Sequence, residues 1–153
     1  MLVLAVGGRI VVTALSHNVG SGKTPHQILV ALITATDDTV KHAGGSWAYD
    51  DKTPWATDLD GYFPQPCGTQ GSDLQQYTEE LYSAGVPDTV AAVTVMRKHW
   101  RELGYEVCTV YHGGEETGNV YEIVTTLPDG TTIGYIAANK VSGIQSESAC
   151  FPS

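Results

Sequence analysis

Residues 88–138 read DTVAAVTVMRKHWRELGYEVCTVYHGGEETGNVYEIVTTLPDGTTIGYIAA, and this stretch decides the fold. Asp88 can accept from the first amides of a helix. Val93, Met96, Trp100 and Leu103 recur at helical spacing, and Gly104 ends the pattern. The spacing therefore predicts a helix that buries those four residues on one face. Three strands are predicted after it: Tyr105 to Tyr111, Val120 to Leu127 and Thr131 to Ala138. Pro128-Asp129-Gly130 joins the last two as a hairpin turn.

Working outward, Thr24-Pro25-His26-Gln27 is a helix start. Thr24 can cap, Pro25 suits the first helical position, and Gln27 can reach back as the capping-box partner. Ile28, Leu32, Ala35 and Val40 then share a face, and Gly44-Gly45 supplies the stop. A strand is predicted near Trp47, a second at Leu74 to Tyr82, and a final edge strand at Ile144 to Cys150, with an irregular stretch centred on residues 50–66. The fold class that follows is α+β: a two-layer sandwich in which an antiparallel sheet of about five to six strands carries two helices on one face.

The 153 residues, 42% of them hydrophobic, suit one domain with a single core. A net charge of −9 repels phosphate backbones, and Arg97, Lys98, His99 and Arg101 scatter around a helix instead of forming a basic stripe. No nucleic-acid partner is expected, and nothing in the pattern asks for an oligomer.

Leu2 to Leu15 is apolar apart from Arg9, Thr13 and the Gly7-Gly8 pair. That is short for a bilayer span, which needs roughly 20 residues, and no cationic segment precedes it as in a secretory signal. Two readings fit: a buried strand at Arg9 to Leu15, or the tail of a signal or membrane anchor. The anchor is preferred, with Ser16 to Lys23 as a flexible tether. The chain then divides into residues 1–23, an anchor or signal remnant, and residues 24–153, one extracytoplasmic domain that meets the membrane through its N-terminal segment only.

Three cysteines permit three single pairings. Cys67 and Cys150 occupy loop-like segments, whereas Cys108 falls inside a predicted strand, where a reduced thiol packs as a small hydrophobe. Position therefore favours a Cys67–Cys150 bridge, which persists in an oxidising compartment. The expected location is extracytoplasmic, either secreted or membrane-anchored.

The motifs that suggest chemistry fall short of their patterns. Val19-Gly20-Ser21-Gly22-Lys23-Thr24 resembles a phosphate loop, but His17 stands where the pattern requires Gly and Pro25 removes a backbone donor. The five histidines show no paired metal spacing. Asp50, Asp51, Asp58 and Asp60 do not follow the calcium-loop pattern. Ser146 and Ser148 lack a nucleophile elbow, and Glu115-Glu116 read as a solvated loop. No catalytic residue, cofactor or metal is expected, and the chain is not read as an enzyme. Trp55, Asp58, Asp60, Tyr62 and Phe63 form a candidate interaction patch, since aromatic anchors dominate interface energetics.

Several short stretches carry a resemblance. They are Lys23-Thr24-Pro25, Gly44-Gly45-Ser46-Trp47, Pro66-Cys67, Trp100 to Val107, Pro128-Asp129-Gly130, and Ser146-Glu147-Ser148-Ala149-Cys150-Phe151-Pro152. From Thr24 onward the chain resembles the small cell-envelope lipoproteins of actinobacteria, which implies a surface-anchored domain with one loop-to-C-terminus disulfide. It departs from them in having no lipid-accepting cysteine before Cys67. The function expected is a non-enzymatic binding or interaction domain at the envelope, with an unidentified protein partner. The alternatives are an immunity-type inhibitor of a secreted toxin and a P-loop-like nucleotide-binding protein.

Overall fold

The computed structural model describes residues 22–68, 73–114 and 119–153, together with the backbone of 2–6 and 9–13. Strands β1 (Leu2–Val6) and β2 (Arg9–Thr13) pair antiparallel, with Leu2 opposite Thr13 and Val6 opposite Arg9. The proposed tether falls largely on residues 14–21, outside the described residues. No described helix is long and apolar enough to cross a membrane.

Helix α1 (Pro25–Ala43) begins as its residues dictate. The Thr24 hydroxyl accepts from the Gln27 amide at 3.2 Å, and the Gln27 side chain accepts from the Thr24 amide at 2.9 Å. The loop after α1 contributes Ala48, which bridges both Pro54 and Tyr82, in place of the strand expected near Trp47.

The segment read as one strand, Leu74 to Tyr82, is two. Strand β4 (Leu74–Gln76) lies between β3 (Gln65–Pro66) and β10 (Phe151–Pro152) in a small sheet. Strand β5 (Thr78–Ala84) joins the main sheet. The division falls at Tyr77, whose amide donates to Ser148 Oγ and whose carbonyl accepts from the Ser148 amide, both at 2.9 Å. At this point both chains leave one sheet for the other, and alternation of side chains along the sequence cannot show such a crossing.

Helix α2 (Thr89–Glu102) is capped by Asp88, which accepts from Ala91 N at 2.9 Å. Gly104 leaves it at φ +86°, a left-handed backbone that favours glycine. Strands β6 (Val107–His112), β7 (Tyr121–Thr126), β8 (Thr132–Ala137) and β9 (Val141–Glu147) follow. The main sheet is antiparallel in the order β5-β9-β8-β7-β6. The expected edge strand at Ile144 to Cys150 is therefore corrected. It runs from Val141 to Glu147 and lies inside the sheet, bonded on both sides by β5 and β8.

Both helices cover one face, as the α+β two-layer reading requires. Val93, Met96 and Trp100 of α2 meet Ile123, Ile133, Tyr135 and Ile144, all buried. Helix α1 touches β9 through Thr36, whose hydroxyl is bonded to the Leu32 carbonyl and to the Ser146 hydroxyl, both at 2.8 Å. A second cluster packs Ile28, Leu32 and Ile33 against Tyr77 and Phe151. The Cys67–Cys150 disulfide secures that end, with Cα atoms 5.9 Å apart.

Two burial expectations are corrected. Leu103 is exposed, because the helix ends at Glu102 and the chain turns away before its side chain meets the sheet. Cys108 is free, as expected, but exposed, because the β6 edge carries its side chain on the face opposite the helices.

Candidate functional site

Residues of α1, the end of α2 and the β7–β8 turn line a cleft of about 440 Å³. Its lining takes the small side chains Ala31, Thr34 and Ala35 from α1 and the larger Leu103 and Tyr105 from the end of α2 and the loop after it. The exposure of Leu103 thus has a consequence: the apolar side chain lines a concave surface instead of the core. Two carboxylates, Asp38 of α1 and Asp129 of the turn, also line the cleft. Asp129 Oδ1 is held by the Thr131 amide at 2.9 Å. Burial raises the Tyr105 phenol above its ordinary range, and the charges of Asp38 and Asp129 add to that shift.

Beside the cleft, Asp38 and His42 stand four residues apart on α1 and so share its face. Helix α2 brings His99 to the same carboxylate: His99 Nε2 lies 2.7 Å from Asp38 Oδ2. His42 Nδ1 lies 3.6 Å from Asp38 Oδ1 and donates to the Asp38 carbonyl at 2.9 Å. The two imidazoles stack with centroids 3.3 Å apart. Among the described residues, these three bring one ligand-type atom each to within 4.8 Å of one another. Sequence reasoning missed the group because it compared histidines only with histidines. The spacing from Asp38 to His42, one helical turn, was the available signal.

Of the patch singled out from sequence, Trp55 and Tyr62 pack against one buried cluster and the other three residues face outward. Trp55 is half-buried and donates to Asp37 Oδ1 at 3.1 Å. Asp37 is also bonded to Lys41, chiefly for which reason its carboxyl is held below the usual range. Tyr62 turns inward and donates to Glu79, a carboxyl raised by burial. Asp58, Asp60 and Phe63 remain exposed, Phe63 at 78%. Asp51 and Asp58 accept from the amides two residues on, as turn residues do. Ser146 and Ser148 are buried and occupied with structural hydrogen bonds. In the phosphate-loop-like stretch, Lys23 is exposed and the Thr24 hydroxyl serves the helix cap; Val19 to Ser21 lie outside the described residues, as do Glu115 and Glu116.

One titratable group escaped sequence reading altogether. Glu122 sits on the face of β7 away from the helices and is 2% exposed, and its Oε1 has no hydrogen-bond partner among the described residues. Burial pushes its carboxyl up to about 7. Its neighbours by register are Tyr111 of β6 on one side and Ile136, then Gly143, on the other.

Comparison with known proteins yields a fold. No family model and no curated protein matches the sequence. A solved structure, that of a DUF4853 family protein from Actinomyces odontolyticus ATCC 17982, aligns with a TM-score of 0.58 at 12% identity, covering 89% of this chain and 71% of that one. At that identity the likeness concerns the architecture alone. It places a fold like this one in an actinobacterial protein.

Proposed function

We propose that this chain is a non-enzymatic, extracytoplasmic binding domain whose ligand face is the cleft between α1, α2 and the β7–β8 turn. The observation that carries this reading is the pairing of an apolar wall, Leu103 and Tyr105, with two carboxylates, Asp38 and Asp129, around one concavity. Such a surface suits a cationic group on an apolar stem, above all a lysine or arginine side chain of a protein partner. The net charge of −9 draws such a partner in. The Cys67–Cys150 bridge supports an oxidising location, and attachment through the N-terminal segment would hold the domain at the envelope.

Peptide-array binding tests the cleft. Lysine- and arginine-bearing peptides should bind, lose affinity as salt rises, and lose it again in Asp129→Asn, which keeps the turn's acceptor but removes the charge. Equal binding by acidic peptides, or by the Asp129→Asn protein, would sink the reading. A second reading, an inhibitor of a secreted toxin, is favoured by Phe63, exposed at 78% between the carboxylates of the Asp58–Asp60 loop and the small sheet. Binding to a basic toxin that Phe63→Ser abolishes and Asp129→Asn leaves intact would select it.

A further inference from the structure

We propose that Asp38, His42 and His99 form a binding site for a divalent transition ion, Zn²⁺ foremost, that clips α1 to α2. The proposal goes beyond the cleft reading and does not rest on it.

The donor set is one carboxylate and two imidazoles. This is a borderline set that suits zinc and its neighbours and is poor for Mg²⁺ or Ca²⁺, which take oxygen ligands. Three protein ligands leave a tetrahedral ion one open position. The spacing fits as well. Ligand atoms about 2.0–2.1 Å from a tetrahedral ion stand roughly 3.3 Å from each other. The two carboxylate–imidazole separations, 2.7 Å and 3.6 Å, fall on either side of that value. All three ligand atoms lie within 4.8 Å of one another, so loading draws them together and turns the imidazoles, stacked with 13° between their planes, until both nitrogens aim at one ion.

The surroundings support the site. His99 is largely shielded, with 13% of its side chain exposed, while Asp38 and His42, at 40% and 42%, leave an approach from solvent. Lys41, the nearest cation on α1, is engaged by Asp37 at 2.6 Å, so Asp38 faces imidazoles and not an ammonium. In the free protein ring hydrogens stand where the ion would enter: on His99 Nε2 towards the carboxylate and on His42 Nδ1 towards the Asp38 carbonyl. A ligating nitrogen must be bare, so each ring passes that hydrogen to its other nitrogen or releases it on loading.

Zinc titration of the untagged, disulfide-bonded chain tests the proposal. At a hundredfold excess of free Zn²⁺ over Kd, Tm should rise by about 5–10 °C. Calorimetry should give one ion per chain, with affinity reduced about tenfold or more in His42→Gln and again in His99→Gln. Both variants keep the four cleft residues, the shared Asp38 included, and peptide binding measured without zinc reads the cleft alone, so loss of zinc binding and loss of peptide binding are separable outcomes. Imidazole NMR signals of the wild-type chain supply a readout that needs no variant: those of His42 and His99 should shift together during the titration. Absence of a zinc response, an unchanged response in His99→Gln, or shifts confined to His26 or His112 would overturn the assignment.

Discussion

Replacing Glu122 by Gln should stabilise the domain at pH 8 and change it little at pH 5. The carboxyl is 2% exposed, its Oε1 has no partner among the described residues, and burial moves its pKa from 4.5 up to about 7. At about 1.4 kcal/mol per tenfold change, that burial disfavours the charged form by roughly 3 kcal/mol. The direction follows from proton counting. Between pH 4.5 and about 7 the folded protein keeps a proton on Glu122 that the unfolded chain has already lost. Stability from this group is therefore complete below 4.5 and is lost as pH rises through about 7. Glutamine cannot ionise, so the variant escapes the loss. The gain should be about 2–3 kcal/mol at pH 8 and below ~1 kcal/mol at pH 5. In urea unfolding, the pH 8 midpoint should rise by about 1–2 M. Glu147, also pushed up to about 7 by burial, titrates over the same range in both proteins and cancels from the difference. An equal gain at both pH values would mean that shape and not charge is responsible. A loss at pH 8 would mean that the carboxylate is paired or hydrated in solution.

Three further outcomes are expected. Replacing Cys67 and Cys150 together by Ser removes a link across 83 residues and should cost about 2–5 kcal/mol, and adding reductant to the wild type should reproduce the effect in chemical denaturation. Trp100→Ala empties a site at 1% exposure and should cost about 3–5 kcal/mol, whereas Leu103→Ala, exposed in the cleft, should cost less than ~1 kcal/mol; similar losses in the two would refute the placement of the helix face. Thr24→Ala removes a capping-box hydroxyl and should cost about 1 kcal/mol, while Lys23→Ala leaves thermal unfolding unchanged.

Local chemistry made much of this protein legible in its sequence. Thr24 with Gln27, Asp88 and Gly104 fixed the helix ends, because caps involve residues within one turn of each other. Pro128-Asp129-Gly130 set the β7–β8 hairpin for the same reason. The loop positions of Cys67 and Cys150 against the strand position of Cys108 chose the disulfide. Tertiary structure decided the rest. Periodicity says which residues share a face, but not which neighbour covers it, so the exposure of Leu103 and Cys108 and the isolation of Glu122 were hidden. The order of strands was hidden too. Val141–Glu147 is internal because β5, more than 50 residues earlier, returns to pair with it, and Tyr77 divides its segment because Ser148 lies opposite. His99 reaches Asp38 across 61 residues only once both helices lie on the sheet. Contacts at such separations are set by packing on a common core, whose geometry no local stretch of sequence contains.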